Sequence, residues 1–231
     1  MLIKGLQKLT LLDYPEKMAC TVFTGGCNFL CPFCHNASLV IGNRVAESET
    51  MPEEEFFDFL CRRRGILEGV CVSGGEPTLQ KDLIPFLIKI KELGFLVKLD
   101  TNGYRPDVLE AAIKSGAIDY VAMDIKNSLE KYGQTVGLSD FDTAPIKKSV
   151  EILKSCGVNF EFRTTLVKGL HTEEDMHSIG AWLGNVQRYF LQSFKDSGDL
   201  ISTNFGGYDK NQTEALLKVL NSYIPNSQIR A

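Results

Sequence analysis

The chain contains 231 residues, 44% of them hydrophobic, which is enough for one sizeable buried core. Its formal net charge is −4, which argues against the basic surface typical of nucleic-acid-binding proteins. No apolar run approaches the roughly 20 residues of a membrane-spanning helix, and residues 1–4 lack the apolar core of a signal peptide. We therefore expect a cytoplasmic protein with no nucleic-acid partner and no membrane partner.

Strands and helices alternate along the chain, starting with a predicted strand at residues 18–23. A predicted helix over residues 54–64 follows, with Thr50 and Glu53 in the spacing of a capping box. The remaining predicted strands are 69–73, 95–99, 120–126, 159–167 and 187–194, and the remaining predicted helices are 82–93, 107–115, 144–156, 172–183 and 209–223. About six strand-helix units favour parallel strands with right-handed crossovers. The pattern leaves open whether the sheet is doubly wound or forms a complete or incomplete barrel.

Three cysteines follow the first predicted strand in a C-x3-C-x2-C array, Cys27, Cys31 and Cys34. Thiolates this close repel one another unless a metal neutralises them, so the array indicates metal binding. A structural zinc site needs four protein ligands, whereas three thiolates on a cubane cluster leave one iron without a protein ligand. The array therefore favours a cluster with one open coordination position that could bind a substrate.

Other interpretations of the array remain open on the residues alone. Cys31, Cys34 and His35 match the C-x-x-C-H of covalent haem, and Cys31 with Cys34 could form a redox dithiol. The three cysteines with His35 could also form a Cys3His zinc site, or could bind nothing. The four remaining cysteines are scattered singly and are expected to be buried small hydrophobes: Cys20, Cys61, Cys71 and Cys156. Seven cysteines, an odd number, fit a reducing compartment.

Polar residues follow successive predicted strands at the points where each strand ends. Gly74-Gly75-Glu76 follows the second strand, Asp100 and Thr101 follow the third, and Asp124 and Lys126 lie at the end of the fourth. Chemistry in parallel α/β folds gathers at the carboxyl ends of the strands. We therefore expect these residues and the cysteine array to share one rim.

The cysteine array, with Phe33 just before its third cysteine, resembles the radical S-adenosylmethionine (SAM) enzymes, and the surrounding residues resemble the glycyl-radical-enzyme activases among them. The segments that carry this likeness are Asp13-Tyr14-Pro15, Phe23-Thr24-Gly25-Gly26-Cys27-Asn28 and Cys34-His35-Asn36. The likeness is strongest to the activating proteins of anaerobic ribonucleoside-triphosphate reductase, and extends to the pyruvate formate-lyase activating enzymes. It implies a partial (β/α)6 TIM-like barrel of parallel strands, open on one side. We expect one domain over residues 1–231, with a core at about 17–195 and a helical tail at about 209–223.

The resemblance also implies site residues and cofactors. Cys27, Cys31 and Cys34 would hold a [4Fe-4S] cluster, and SAM would chelate its fourth iron. The implied SAM contacts are Phe33, Cys34, His35, Gly74, Gly75, Glu76, Asp100, Thr101, Asp124 and Lys126. Arg163, in the fifth predicted strand, would be costly to bury without an anion, so it is a further candidate partner for the SAM carboxylate or a ribose hydroxyl, with a structural ion pair as the alternative. A monovalent cation is implied at Asp100, Thr101 and Asp124. Phe194 stands where the pyruvate formate-lyase activase has a SAM-contacting histidine, so we expect Gln192 or Ser193 to replace that contact.

The implied activity is reductive cleavage of SAM and abstraction of a glycine Cα hydrogen from a partner enzyme. The resemblance points to anaerobic ribonucleotide reductase as that glycyl radical enzyme, with flavodoxin or ferredoxin as the electron donor. Two other functions remain open on the sequence. One is a radical SAM reaction on a small molecule, such as a ring contraction in deazaguanine synthesis, and the other is a non-catalytic iron-sulfur or zinc module.

Overall fold

The computed structural model describes residues 1–196 and 198–230, and its framework is an eight-stranded sheet. The strands are β1 (Ile3–Thr10), β2 (Ala19–Thr24), β3 (Gly69–Gly74), β4 (Leu96–Thr101), β5 (Tyr120–Asp124), β6 (Asn159–Leu166), β7 (Tyr189–Ser193) and β8 (Gln228–Arg230). They lie side by side in chain order, with β2 through β8 parallel and β1 antiparallel to β2. Within the described ranges nothing pairs β1 with β8, so the sheet is open between its first and last strands. The predicted partial barrel is confirmed.

Every connection between parallel strands contains at least one helix, as is usual for crossovers that return the chain to the same end of the sheet. The helices are α1 (Ala37–Val40), α2 (Gly42–Glu47), α3 (Glu53–Arg63), α4 (Leu83–Glu92), α5 (Pro106–Lys114), α6 (Tyr132–Val136), α7 (Ala144–Ser155), α8 (Glu173–Leu183) and α9 (Lys210–Asn221). Each longer helix buries one apolar face. In α4 that face consists of Leu83, Phe86, Leu87 and Ile90, spaced to fall on one side of a helix. No helix in the described ranges is both long and apolar enough to cross a bilayer.

The strands alternate between apolar and polar residues because successive side chains point to opposite faces of the sheet. In β4, Val97 and Leu99 belong to the main hydrophobic core, whereas Lys98 and Asp100 occupy the alternate positions. Asp100 lines a cavity inside the barrel. The sheet therefore separates a hydrophobic layer beneath the helices from a charged interior.

The structure corrects three details of the sequence prediction. Strands β1 and β8 were not predicted. Helix α3 has no side-chain cap, because Met51 bridges to Ile3 and Thr50 Oγ1 accepts a hydrogen bond from Lys4 Nζ at 2.8 Å instead. Cys61 is exposed on α3, contrary to the expected burial, because it lies away from the buried face of that helix.

Candidate active site

A cavity of about 400 Å³ lies at the carboxyl ends of the parallel strands. Its walls include every residue predicted to bind the cluster or SAM: Cys27, Cys31, Phe33, Cys34, His35, Gly74, Gly75, Glu76, Asp100, Thr101, Asp124, Lys126 and Arg163. Parallel strands in register bring these sequence-distant segments to one rim. The structure thus gathers the predicted residues in one place, while their individual roles stay predictions.

The cysteine loop is held by backbone contacts with the loop after β3. Gly75 N donates to Thr24 O at 2.8 Å, and Glu76 N donates to Gly26 O at 2.7 Å. A Cβ at Gly75 would lie 2.1 Å from the Gly26 carbonyl oxygen. Glycine is required at position 75 because the two loops pack backbone against backbone. This contact positions the cysteine loop whether or not the same glycine also approaches a ligand.

Burial of the three thiols of the array disfavours their thiolate forms at neutral pH. Burial raises the pKa of the Cys27 thiol to about 12 and that of Cys31 to about 11, and it also raises the pKa of Cys34. Within the described ranges, no three His, Cys, Asp or Glu side chains are grouped so that they could hold one metal ion. The described residues therefore do not form a preassembled Cys3His site. A cubane does not require such convergence, because its thiolates bind different irons.

Two asparagines beside Cys27 provide a further test of whether the site fits an iron-sulfur cluster. Asn102 Oδ1 accepts from Tyr104 N at 3.0 Å, so its amide nitrogen faces Asn28 Oδ1 at 2.8 Å and Cys27 Sγ at 3.8 Å. Asn28 Nδ2 is buried and has no hydrogen-bond partner in the described parts of the chain. Leaving such a donor unpaired costs about 1–3 kcal/mol. Donors at this position fit an acceptor-rich group such as an iron-sulfur cluster.

Five charged residues form an alternating chain, which we call the charge chain: Lys98, Asp100, Arg163, Asp124 and Lys126. The last four line the cavity, and Lys98 is buried behind Asp100. Lys98 Nζ contacts Asp100 Oδ1, and Arg163 Nη1 lies 3.3 Å from Asp100 Oδ2. Arg163 Nη2 lies 2.9 Å from Asp124 Oδ1, and Lys126 Nζ lies 2.9 Å from Asp124 Oδ2. Burial alone would raise the pKa of Asp124, but Arg163 and Lys126 hold it well below its usual range. Both carboxylates therefore stay ionised.

Lys98 was missed by the sequence reasoning, although a signal for it was present. It is the single charged residue between apolar neighbours in residues 95–99, two positions before Asp100. Residues two apart on a strand share a face, so Lys98 had to lie beside Asp100. The interior placement of a lysine in an otherwise apolar strand indicates a specific partner.

Glu76 is buried and bonded by protein donors. Its Oε1 accepts from Thr78 N at 3.0 Å and from Thr101 Oγ1 at 2.7 Å, and its Oε2 accepts from Asn102 N at 2.7 Å. Burial raises the pKa of Glu76 against these bonds. The carboxylate thus ties the end of β3 to the end of β4 and fixes the backbone of Asn102. A SAM ammonium would have to share these oxygens with the chain's own donors.

The sequence of the chain matches those of known proteins. The sequence model of the radical SAM superfamily matches residues 21–182. A protein of Methanocaldococcus jannaschii, provisionally named a glycyl-radical enzyme activating enzyme, is 36% identical over 239 aligned residues. That alignment covers 99% of this chain and 95% of the relative. The chain belongs to the radical SAM superfamily.

Two further comparisons place this radical SAM enzyme among its relatives. The pyruvate formate-lyase-activating enzyme of Streptococcus mutans is 30% identical over 191 residues, covering 77% of this chain and 72% of that enzyme. The crystal structure of a radical SAM methyltransferase from Sphaerobacter thermophilus superposes with a TM-score of 0.75. It covers 96% of this chain and 68% of that chain at 14% identity, so this likeness concerns the fold. Membership of the superfamily implies a [4Fe-4S] cluster and SAM.

The remaining predicted contacts of the radical SAM site surround the third cysteine and the last strands. Phe33 is buried, and its ring meets that of Phe205 edge-on at 6.4 Å. Burial lowers the pKa of His35, which lies on the cavity wall. Phe194 is buried in the core, whereas Gln192 lines the cavity. Of the two residues expected to replace the missing histidine contact, Gln192 is thus the one on the described wall.

Proposed function

We propose that this radical SAM enzyme activates a glycyl radical enzyme by abstracting a Cα hydrogen from a glycine of that partner. The observation that carries the proposal is the 36% identity, over 99% of the chain, to a relative named for this activity. A second consideration is the gap between β1 and β8, which leaves a side of the barrel through which a polypeptide could reach the cavity. The partner we propose is anaerobic ribonucleotide reductase, and the electron donor is flavodoxin or ferredoxin.

The cofactors supply the chemistry when bound: the reduced cluster provides one electron to SAM, and SAM provides the hydrogen-abstracting radical. The chain's own residues bind, orient and exclude water. Cys27, Cys31 and Cys34 would hold the cluster, and Lys126 and Arg163 would face the SAM carboxylate. Apolar residues at the wall, including Phe33, would limit the access of water to the reacting atoms.

The test is anaerobic reconstitution with iron and sulfide, followed by EPR of the reduced protein with and without SAM. Production of 5′-deoxyadenosine is measured in the same samples. Anaerobic ribonucleotide reductase is then added, and the expected result is the EPR signal of a glycyl radical. A reductase in which the reactive glycine is replaced by alanine serves as the control and should give no radical.

Two outcomes would contradict the proposal in different ways. SAM cleavage without a glycyl radical on any glycyl radical enzyme tested would favour a small-molecule substrate. An EPR signal of the cluster that does not change when SAM is added would favour the non-catalytic iron-sulfur module.

A further inference from the structure

Lys98 is the most deeply buried member of the charge chain. It is neither a predicted cluster ligand nor a predicted SAM contact. Its side chain is 0% exposed, its ammonium contacts Asp100 Oδ1, and Cys71 Sγ lies 3.8 Å from Nζ. Burying an ammonium group is costly unless a charge partner compensates. Asp100 is that partner, because no other carboxylate oxygen in the described ranges lies within ion-pair distance of Lys98.

The oxygens that would bind a monovalent cation are already occupied. Asp100 Oδ2 accepts from Ser73 Oγ at 3.1 Å and from Arg163 Nη1 at 3.3 Å. Asp124 Oδ1 accepts from Arg163 Nε at 3.0 Å, and its Oδ2 accepts from Lys126 Nζ at 2.9 Å. The Thr101 hydroxyl donates to Glu76, and its oxygen accepts from Gly103 N at 3.1 Å. A hard cation would need several of these oxygens as ligands, so the residues do not fit one.

The charges of the chain lead to the same conclusion. Three cations, Lys98, Arg163 and Lys126, face two carboxylates, Asp100 and Asp124, so the charge chain has a net charge of +1. A further cation beside Asp100 and Asp124 would raise the charge of this chain to +2 next to Arg163, whereas the other acidic residues of the wall, Asp13 and Glu76, lie outside the charge chain. The existing excess already suits an anionic group such as the SAM carboxylate.

We propose that Lys98 is a positioning residue whose ammonium takes the place of a monovalent cation, so that SAM binding by this chain needs no added K⁺ or Na⁺. Lys98 fixes Asp100, Asp100 and Asp124 together hold the Arg163 guanidinium, and Arg163 and Lys126 face the bound carboxylate. The inference rests on SAM binding in this cavity and is independent of which partner is activated. It replaces the cation expected at Asp100, Thr101 and Asp124.

The first test uses the unaltered holoenzyme and no partner. The SAM dissociation constant is measured by anaerobic calorimetry in KCl, in NaCl and in tetramethylammonium chloride at equal ionic strength. Tetramethylammonium is too large to enter a carboxylate cation site. We expect the three constants to agree within about twofold. A rise of about tenfold or more in tetramethylammonium would overturn the proposal.

The second test removes the ammonium. Lys98→Ala leaves room for a cation beside Asp100, so SAM binding should weaken about tenfold in tetramethylammonium and recover in KCl. If Lys98 only stabilised the fold, adding K⁺ to the Lys98→Ala variant would not restore its SAM binding. Lys91→Ala is the matched control, because Lys91 pairs with Asp119 outside this cavity and should leave SAM binding unchanged in all three salts.

A third variant controls for misfolding of Lys98→Ala. Lys98→Ala with Asp100→Asn removes both charges, so it should fold and should show no response to K⁺. Equal SAM affinity of Lys98→Ala and wild type in every salt would overturn the proposal. Because SAM affinity is measured without a partner, failure of glycyl radical formation leaves these results unaffected.

Discussion

At the residue scale, the cysteine loop has thiols that the folded chain keeps protonated. Burial raises the pKa of Cys27 and Cys31 to about 12 and about 11, so binding to iron must displace their protons. Each thiolate then becomes stable through its bond to the metal. These raised pKa values disfavour free thiolate chemistry at neutral pH and are compatible with the predicted cluster.

The first prediction concerns these ligands. Cys27→Ala, Cys31→Ala and Cys34→Ala should each lower iron and sulfide content and abolish SAM cleavage, because a cubane with two protein thiolates is poorly held. Iron analysis and 5′-deoxyadenosine assays after identical reconstitution measure both effects. Cys61→Ala is the control, since Cys61 is exposed on α3 and should behave as wild type. Full cluster content in Cys31→Ala would contradict the assignment.

The second prediction concerns Asn102, whose amide nitrogen lies 3.8 Å from Cys27 Sγ. Hydrogen bonds to cluster sulfur stabilise the reduced, electron-rich state. Asn102→Leu should therefore shift the cluster midpoint potential to a more negative value. At the wild-type midpoint, the ratio of reduced to oxidised cluster should fall about three- to tenfold. A redox titration followed by EPR measures the shift, and exposed Asn43→Ala should leave the potential unchanged.

At the element scale, helix α8 shows how local sequence and tertiary contact combine. Thr172 Oγ1 accepts from Asp175 N and Asp175 Oδ2 accepts from Thr172 N, so α8 begins with a capping box. The Asp175 carboxylate also accepts from Ser128 Oγ at 3.0 Å and from Lys131 Nζ at 2.8 Å. The Asp175 carboxylate thus takes part in the N-terminal cap of α8 and links this helix to the segment after β5.

The third prediction follows from this carboxylate. Asp175→Asn should lower the free energy of unfolding by about 1–2 kcal/mol at pH 7, as loss of a cap does. Burial alone would raise the pKa of Asp175, but the bonds from Lys131 and Thr172 hold it below its usual value. The stabilisation is therefore present above the unfolded-state pKa of about 3.9 and is lost as pH falls through the folded-state value.

Urea unfolding of the cluster-free protein checks this prediction. The difference between wild type and Asp175→Asn should be largest near neutral pH and should shrink below about pH 4. Asp209→Asn is the matched control, because Asp209 caps α9 from an exposed position and should cost less. A difference that grows as pH falls would contradict the assignment.

At the scale of the whole molecule, the edge strand β8 is tied to the rest of the sheet by an ion pair with β6. Arg230 of β8 donates to Glu161 of β6 at 2.7 and 3.0 Å, and its guanidinium lies 3.7 Å from the centroid of the Phe190 ring. Glu161 is fully buried and also accepts from Tyr120 Oη at 2.8 Å. The two ends of the bond are 69 residues apart in sequence. The pair therefore anchors the end of the chain to the barrel.

The fourth prediction tests this anchor. Arg230→Ala should lower the free energy of unfolding by roughly 2–3 kcal/mol, because it leaves the buried Glu161 carboxylate with a weaker set of donors. The double variant Glu161→Gln with Arg230→Ala should recover part of that loss, since no buried charge is then unpaired. A double-mutant cycle from urea unfolding measures the coupling. Additive losses would show that the two residues do not interact in solution.

The sequence by itself determined the cysteine array, the succession of parallel strands and the rim where polar residues meet. These features are local or periodic: the spacing of Cys27, Cys31 and Cys34 spans eight residues, and the strands β2 to β5 each end at or next to a glycine or a carboxylate. The open barrel followed from resemblance, because alternating strands and helices are equally compatible with a doubly wound sheet. All predicted site residues then met at one cavity.

Only the tertiary structure decided the edges of the sheet and the partners of the interior charges. Strand β8 has three residues, too few for a periodic pattern, and β1 forms by pairing with β2. The partners of Glu76, Lys98 and Glu161 depend on which strands become neighbours and in what register. A carboxylate in a sequence can equally face a ligand, a metal or a lysine. Burial and the distance to the nearest opposite charge decide among them, and both are properties of the folded chain.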